Sequence, residues 1–99
     1  MADLLFTFHC ARGDAESLAL ALRGLADAPV HWQDEVVLGH DYADAGTGEQ
    51  VEGLLRRTAL TLIVPESRAT ALVDTARDAR CRAPVRWHAV PVHSQGRIA

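Results

Sequence analysis

Two runs with a period of two, each followed by an amphipathic stretch, constrain the fold of this chain more than any other feature. In Asp3–Cys10, Leu4, Phe6 and Phe8 alternate with Leu5, Thr7 and His9. In Arg57–Val64, Thr58, Leu60, Leu62 and Val64 alternate with Ala59, Thr61 and Ile63. A period of two places alternate side chains on opposite faces of a β-strand. Each run ends at a breaker. Gly13-Asp14 follows the first, and Asp14 offers a carboxylate to the free amides of a helix that runs to Ala26. Leu18, Ala21, Leu22 and Leu25 share one face of that helix at spacings of three and four. Pro65 stops the second run, since proline cannot donate to a ladder. Ser67 is the expected cap of a second helix with Ala69, Leu72, Val73 and Ala76 on its apolar face. Two more strands are expected at Val30–Leu38, after Pro29, and at Val85–Val92, where Pro91 confines the strand to an edge or a bulge.

The order strand, helix, strand, strand, helix, strand is the α+β, ferredoxin-like βαββαβ pattern. It predicts a four-stranded antiparallel sheet with two helices on one face. At 99 residues the chain is expected to form one domain spanning 1–99. The uncovered face of such a sheet is polar when it meets water. Here Leu5, Thr7, Thr61 and Ile63 mix with His9, and Val90 and Val92 add apolar surface. That face is therefore expected to be buried against further copies of the chain.

Composition narrows the functional classes. A net charge of −3 argues against a nucleic-acid binder. All ten basic residues are arginine, and eight of them fall in the second half. No run approaches the roughly 18 apolar residues of a membrane helix, and Leu4-Leu5-Phe6 is too short for a signal core. A cytoplasmic protein, not embedded in a membrane, is the expectation. Cys10 and Cys81 form no C-x-x-C pair and are expected to be free thiols. There is no G-x-S-x-G elbow and no P-loop. The chain reads as a binding or regulatory module rather than an enzyme.

The segment joining the second and third strands, Gly39–Arg57, is far longer than the two to five residues or so of an ordinary hairpin turn. Long connections in small proteins are commonly functional. This one opens with Gly39-His40 and closes with Glu49-Gln50-Val51-x-Gly53 and the pair Arg56-Arg57. Glu49 and Gln50 are suited to fixing where the connection leaves the sheet, or to holding a ligand, and Gly53 to a close approach or a positive φ. Arg56, Arg57 and Arg97 have the guanidinium geometry for an anion, and serve equally well as partners of Asp44, Glu49 or Glu52.

With this order and this long connection, four sequence elements resemble the PII-like signalling proteins. The closer resemblance is to a small PII-like family often encoded beside heavy-metal efflux pumps. The elements are Cys10 at the end of the first strand, Gly39-His40, Glu49-Gln50-Val51-x-Gly53 with a following arginine, and Trp87-x-x-x-Pro91-Val92 followed by Gly96-Arg97-Ile98. The resemblance implies a homotrimer with ligand clefts between subunits. It also implies a long loop that meets effectors or partner proteins, membrane transporters among them. PII proteins bind adenine nucleotides. Asp78–Pro84 lacks the glycine and lysine of a phosphate-cradling loop, and the long connection carries one tyrosine, Tyr42, near its start. Both departures argue against nucleotide as the cofactor.

A second reading is a metal-binding accessory protein of an efflux system. The chain has five histidines, His9, His31, His40, His88 and His93. His9 and His88 fall on strands that the ferredoxin-like order makes neighbours, and His40 opens the long connection. A transition-metal ion would be held by His9, Cys10, His40 and His88. Scattered surface or interface histidines and a buried, inert Cys10 remain the alternative. Cys81, between Arg80 and Arg82, is a further thiol in a basic setting.

Overall fold

The computed structural model describes residues 2–38 and 54–99. Strand β1 is Asp3–Ala11, and a single 3-10 turn, Arg12–Asp14, leads into helix α1, Ala15–Ala26. Strands β2, His31–Leu38, and β3, Leu54–Pro65, follow. A second 3-10 turn, Glu66–Arg68, opens helix α2, Ala69–Asp78, and β4 is Arg86–Val92. The sheet order is β2-β3-β1-β4, with every neighbouring pair antiparallel. This is the ferredoxin-like arrangement that the alternation predicts.

The period of two divides the sheet cleanly. On the helix side, Phe6, Phe8 and Cys10 of β1 and Leu60, Leu62 and Val64 of β3 are buried beneath Leu18 and Leu22 of α1 and Leu72 of α2. At about 25 cal/mol per Å² of apolar surface, each large side chain contributes on the order of 2 kcal/mol. Phe6 stacks on Phe8 with ring centroids 5.7 Å apart, and Trp87 stacks on Phe6 at the same distance. Pro91 lies opposite Leu4 in an unbroken register on the edge strand β4, where a missing amide breaks no ladder.

Three local expectations are corrected. Asp14 does not cap α1, since its side chain makes no cap hydrogen bond there. Its two carboxylate oxygens accept instead from the backbone amides of Arg82 and Ala83, both at 3.1 Å. Ser67 does not cap α2 either. It sits within the 3-10 turn, and Arg68 holds the cap position without a side-chain hydrogen bond. Third, β3 begins at Leu54, three residues before the expected start, so Arg56 and Arg57 belong to the strand. The β2–β3 ladder extends to the Leu38↔Leu54 pair. Among the described residues, no helix is long and apolar enough to cross a membrane.

Candidate functional site at the root of the β2–β3 connection

Paired residues share a face, so the register gives the open side of the sheet row by row. Ile63, Leu5 and Val90 form an apolar row across β3, β1 and β4. Next come His31, Thr61, Thr7 and His88, then Gln33, Ala59, His9 and Arg86, then Glu35, Arg57 and Ala11. Between these rows the face passes from apolar at Leu5 to charged at Glu35 and Arg57, and one more row, Val37 and the buried Leu55, separates the charged residues from the 39–53 segment.

The charged rows are the candidate site. His9 Nδ1 donates to Glu35 Oε2, both side chains being about three-quarters buried. The two residues lie on strands separated by β3. The methyl group of Ala59, opposite His9, leaves the space that lets them meet. The His9 and His88 rings stack with centroids 5.6 Å apart and planes 23° from parallel. Arg57, in the row beside His9, is 5 % exposed, and its Nη1 donates to Arg56 O at 3.1 Å. An arginine this buried is stable only when its charge and donors are met.

The helix side of the same end is tied by Arg12. Its guanidinium donates to Glu35 O at 3.1 Å and to Arg57 O at 3.4 Å, and lies 4.0 Å from Asp34 Oδ1. Asp34 accepts from the buried Thr58 hydroxyl at 2.9 Å. Arg12 therefore ties the turn after β1 to both strands that carry the long connection. Cys10 lies beneath, fully buried, with its thiol against Thr58 O at 3.7 Å. Burial pushes the Cys10 thiol up to about 11, and the neighbouring Cys81 and Asp14 add to the effect. Burial, with Asp14, also raises Cys81.

The structure brings some of the expected residues together and separates others. His9 and His88 are in contact, whereas Cys10 points to the opposite face of the sheet. Among the described residues, no group of three or more histidine, cysteine or carboxylate side chains is placed to hold a metal ion. Arg56 and Arg57, adjacent in sequence, face opposite sides of β3. Arg97 follows β4 at the Asp3 end of the sheet, where Gln95 Nε2 donates to Asp3 Oδ2 at 2.8 Å. Eight strand residues, roughly 26 Å, separate that end from Arg57, so one chain does not assemble the three arginines. Gly39, His40, Glu49, Gln50 and Gly53 lie outside the described residues. Sequence reasoning misses Glu35, Asp34, Arg12 and the role of Asp14. Glu35 is within its reach, because the period of β2 puts it on the face of His9 once the register is known.

The family follows from the sequence. Residues 33–99 match the model of the family described as Protein of unknown function (DUF3240). The chain belongs to this family. No curated protein matches it. A DUF3240 protein from Shewanella baltica superposes with a TM-score of 0.78 at 10% identity, covering 100% of this chain and 99% of that one. Arabidopsis thaliana PII bound to citrate gives 0.68 at 10% identity, over 92% of this chain and 78% of that one. A putative PII-like signaling protein from Thermus thermophilus gives 0.62 at 16% identity, over 93% and 88%. At these identities the likeness speaks for the fold.

Proposed function

We propose that this DUF3240 member is a cytoplasmic, non-enzymatic PII-like regulatory protein that works as a homotrimer. Its 39–57 segment binds a small effector or docks on a partner such as a membrane transporter. The observation that carries the reading is the graded open face. Leu5, Ile63 and Val90 make an apolar strip that a solvated sheet has no use for, and Val90 is 46 % exposed in the single chain. The same face carries the His9–Glu35 contact and the buried Arg57 one row short of the residues that lead into the long connection. An oligomer that buries the strip sets these groups beside a neighbouring copy, where a ligand and the connection can influence each other. Arg56, Arg57 and Arg97 suit an anionic effector, with Arg97 supplied by a second subunit. Small polycarboxylates are the first class to try, since the Arabidopsis PII was solved with citrate.

Native mass spectrometry of the untagged protein, purified without chelator, tests this reading. A species near three times the 10.7 kDa chain mass is expected. A stable monomer at micromolar concentration overturns it.

One contact favours a second reading, a metal-binding accessory protein of an efflux system. His9 and His88 stack on the open face with Glu35 against His9. His40 or a neighbouring copy would complete the set, and Cys10 would join only after leaving the core. Dialysis against Zn, Cu, Co or Ni is expected to leave bound metal that a His9→Ala, His88→Ala pair removes. Affinity weaker than about micromolar, near −8 kcal/mol, excludes it.

A further inference from the structure

The helix side of the sheet carries a groove that neither reading uses. Helix α2 does not fully cover β4, and two cavities, of about 300 Å³ and about 400 Å³, run along the seam between them. They share Val73, Arg77 and Trp87 and so form one trough. Phe8 and Phe6 form its floor, and Trp87, half exposed, is its aromatic wall. The volume falls in the range of roughly 300–1,000 Å³ typical of small-ligand sites.

One end of the trough is cationic. Arg77 is held by Asp74 at 3.0 Å. Arg80 has no ion pair and no side-chain hydrogen bond among the described residues, and lines the same end beside Cys81. Asp14, the buried carboxylate nearby, spends both oxygens on the amides of Arg82 and Ala83. The local balance is positive. Arg80 also follows α2 in the left-handed region, with φ 54°. Helices commonly place glycine at that position, because a Cβ there is strained. Arg80 is exposed and solvated, and its place at the rim of an apolar trough with no acidic partner among the described residues suits an anionic head group.

We propose that the α2–β4 groove binds a small amphiphilic anion, with its apolar body on Phe8 and Trp87 and its single carboxylate, phosphate or sulfonate at Arg80. The site lies on the opposite side of the sheet from the His9–Glu35 lattice, so it stands or falls independently of the trimer.

Octyl phosphate is the probe, with 1-octanol and inorganic phosphate as its two halves. A Trp32→Phe background leaves Trp87 as the sole tryptophan. Octyl phosphate is expected to shift Trp87 emission to the blue with saturation. At the same midpoint it should protect Cys81 from iodoacetamide, which the fully buried Cys10 evades. Octanol should bind at least roughly tenfold more weakly, the 1.4 kcal/mol scale of one charge-assisted contact. Inorganic phosphate should leave the emission unchanged. Arg80→Gly should weaken octyl phosphate severalfold and leave octanol unaffected, while the thermal midpoint holds or rises as the strain is relieved. The proposal is overturned by equal binding of octanol, by an unaltered Arg80→Gly affinity, or by no saturation at millimolar probe. A Trp87 shift with phosphatidylglycerol vesicles at concentrations where octyl phosphate has no effect overturns the small-molecule assignment.

Discussion

Asp14 and Cys10 show how single side chains in this core couple to charge and pH. Asp14 accepts from two amides in the 79–85 connection. Hydrogen bonds to a carboxylate contribute roughly 1.5–3 kcal/mol each when buried. Asp14→Ala is expected to lower unfolding stability by about 2–4 kcal/mol in urea titrations, and Asp14→Asn by nearly as much, because its amide group opposes one of the two donors. Cys10 titrates above its unfolded value, near 11 against 9.0. Above pH 9 the unfolded thiol loses its proton before the folded one does. The thiol's contribution is therefore intact below pH 9 and is lost as pH rises toward 11. Two pKa units set a ceiling of about 3 kcal/mol on that loss. Denaturation at pH 8, 9, 10 and 11 should show the decline. Cys10→Ala, less stable at pH 8, should show a much shallower one, and an equal slope in the variant would assign the effect elsewhere.

At the scale of elements, β2 depends on β3 alone for its ladder, and besides the Thr58–Asp34 hydrogen bond two side-chain links add to it. One is His9–Glu35 across the open face, and the other is Arg12 to Asp34 and the Glu35 and Arg57 carbonyls. Partly exposed ion pairs are worth about 0.2–1 kcal/mol. A double-mutant cycle with His9→Ala and Glu35→Ala should give a coupling in that range. Zero coupling would mean that the contact only fills space. Leu62→Ala, in the middle of β3 at 1 % exposure, should cost about 2–5 kcal/mol. Type and order of all six elements were legible, because alternation and helical spacing are local signals. The ends were not. The start of β3 at Leu54 is set by pairing with Leu38, a tertiary fact, and Leu54-Leu55 alone reads equally well as loop. Asp14 misled for a related reason. A carboxylate before a helix is a good cap, but here two amides from a connection nearly seventy residues away compete for it and win. The His9–Glu35 contact needed the register, since the two residues are on strands that never pair.

For the whole molecule, the graded open face makes the decisive prediction. Val90→Glu places a charge in the apolar row without touching the helix-side core. Circular dichroism should be unchanged, while size-exclusion chromatography with light scattering should show the proposed assembly giving way to monomer. A variant that remains fully assembled would mean that the strip is covered in some other way. The reverse substitution at the charged end, Glu35→Gln, should leave assembly intact and alter only what happens near the long connection.

The Gln95–Asp3 hydrogen bond has one more consequence. It sets the segment after β4 against the first residue of β1, so the entry to the sheet and the exit from it are neighbours. A short linker could close the chain into a ring, and new ends could be cut between Leu38 and Leu54. Such a circular permutant would keep every strand pairing but sever the covalent bridge from β2 to β3. If it still folds and assembles, the long connection is spare cargo for the architecture, free to have been shaped by what it touches.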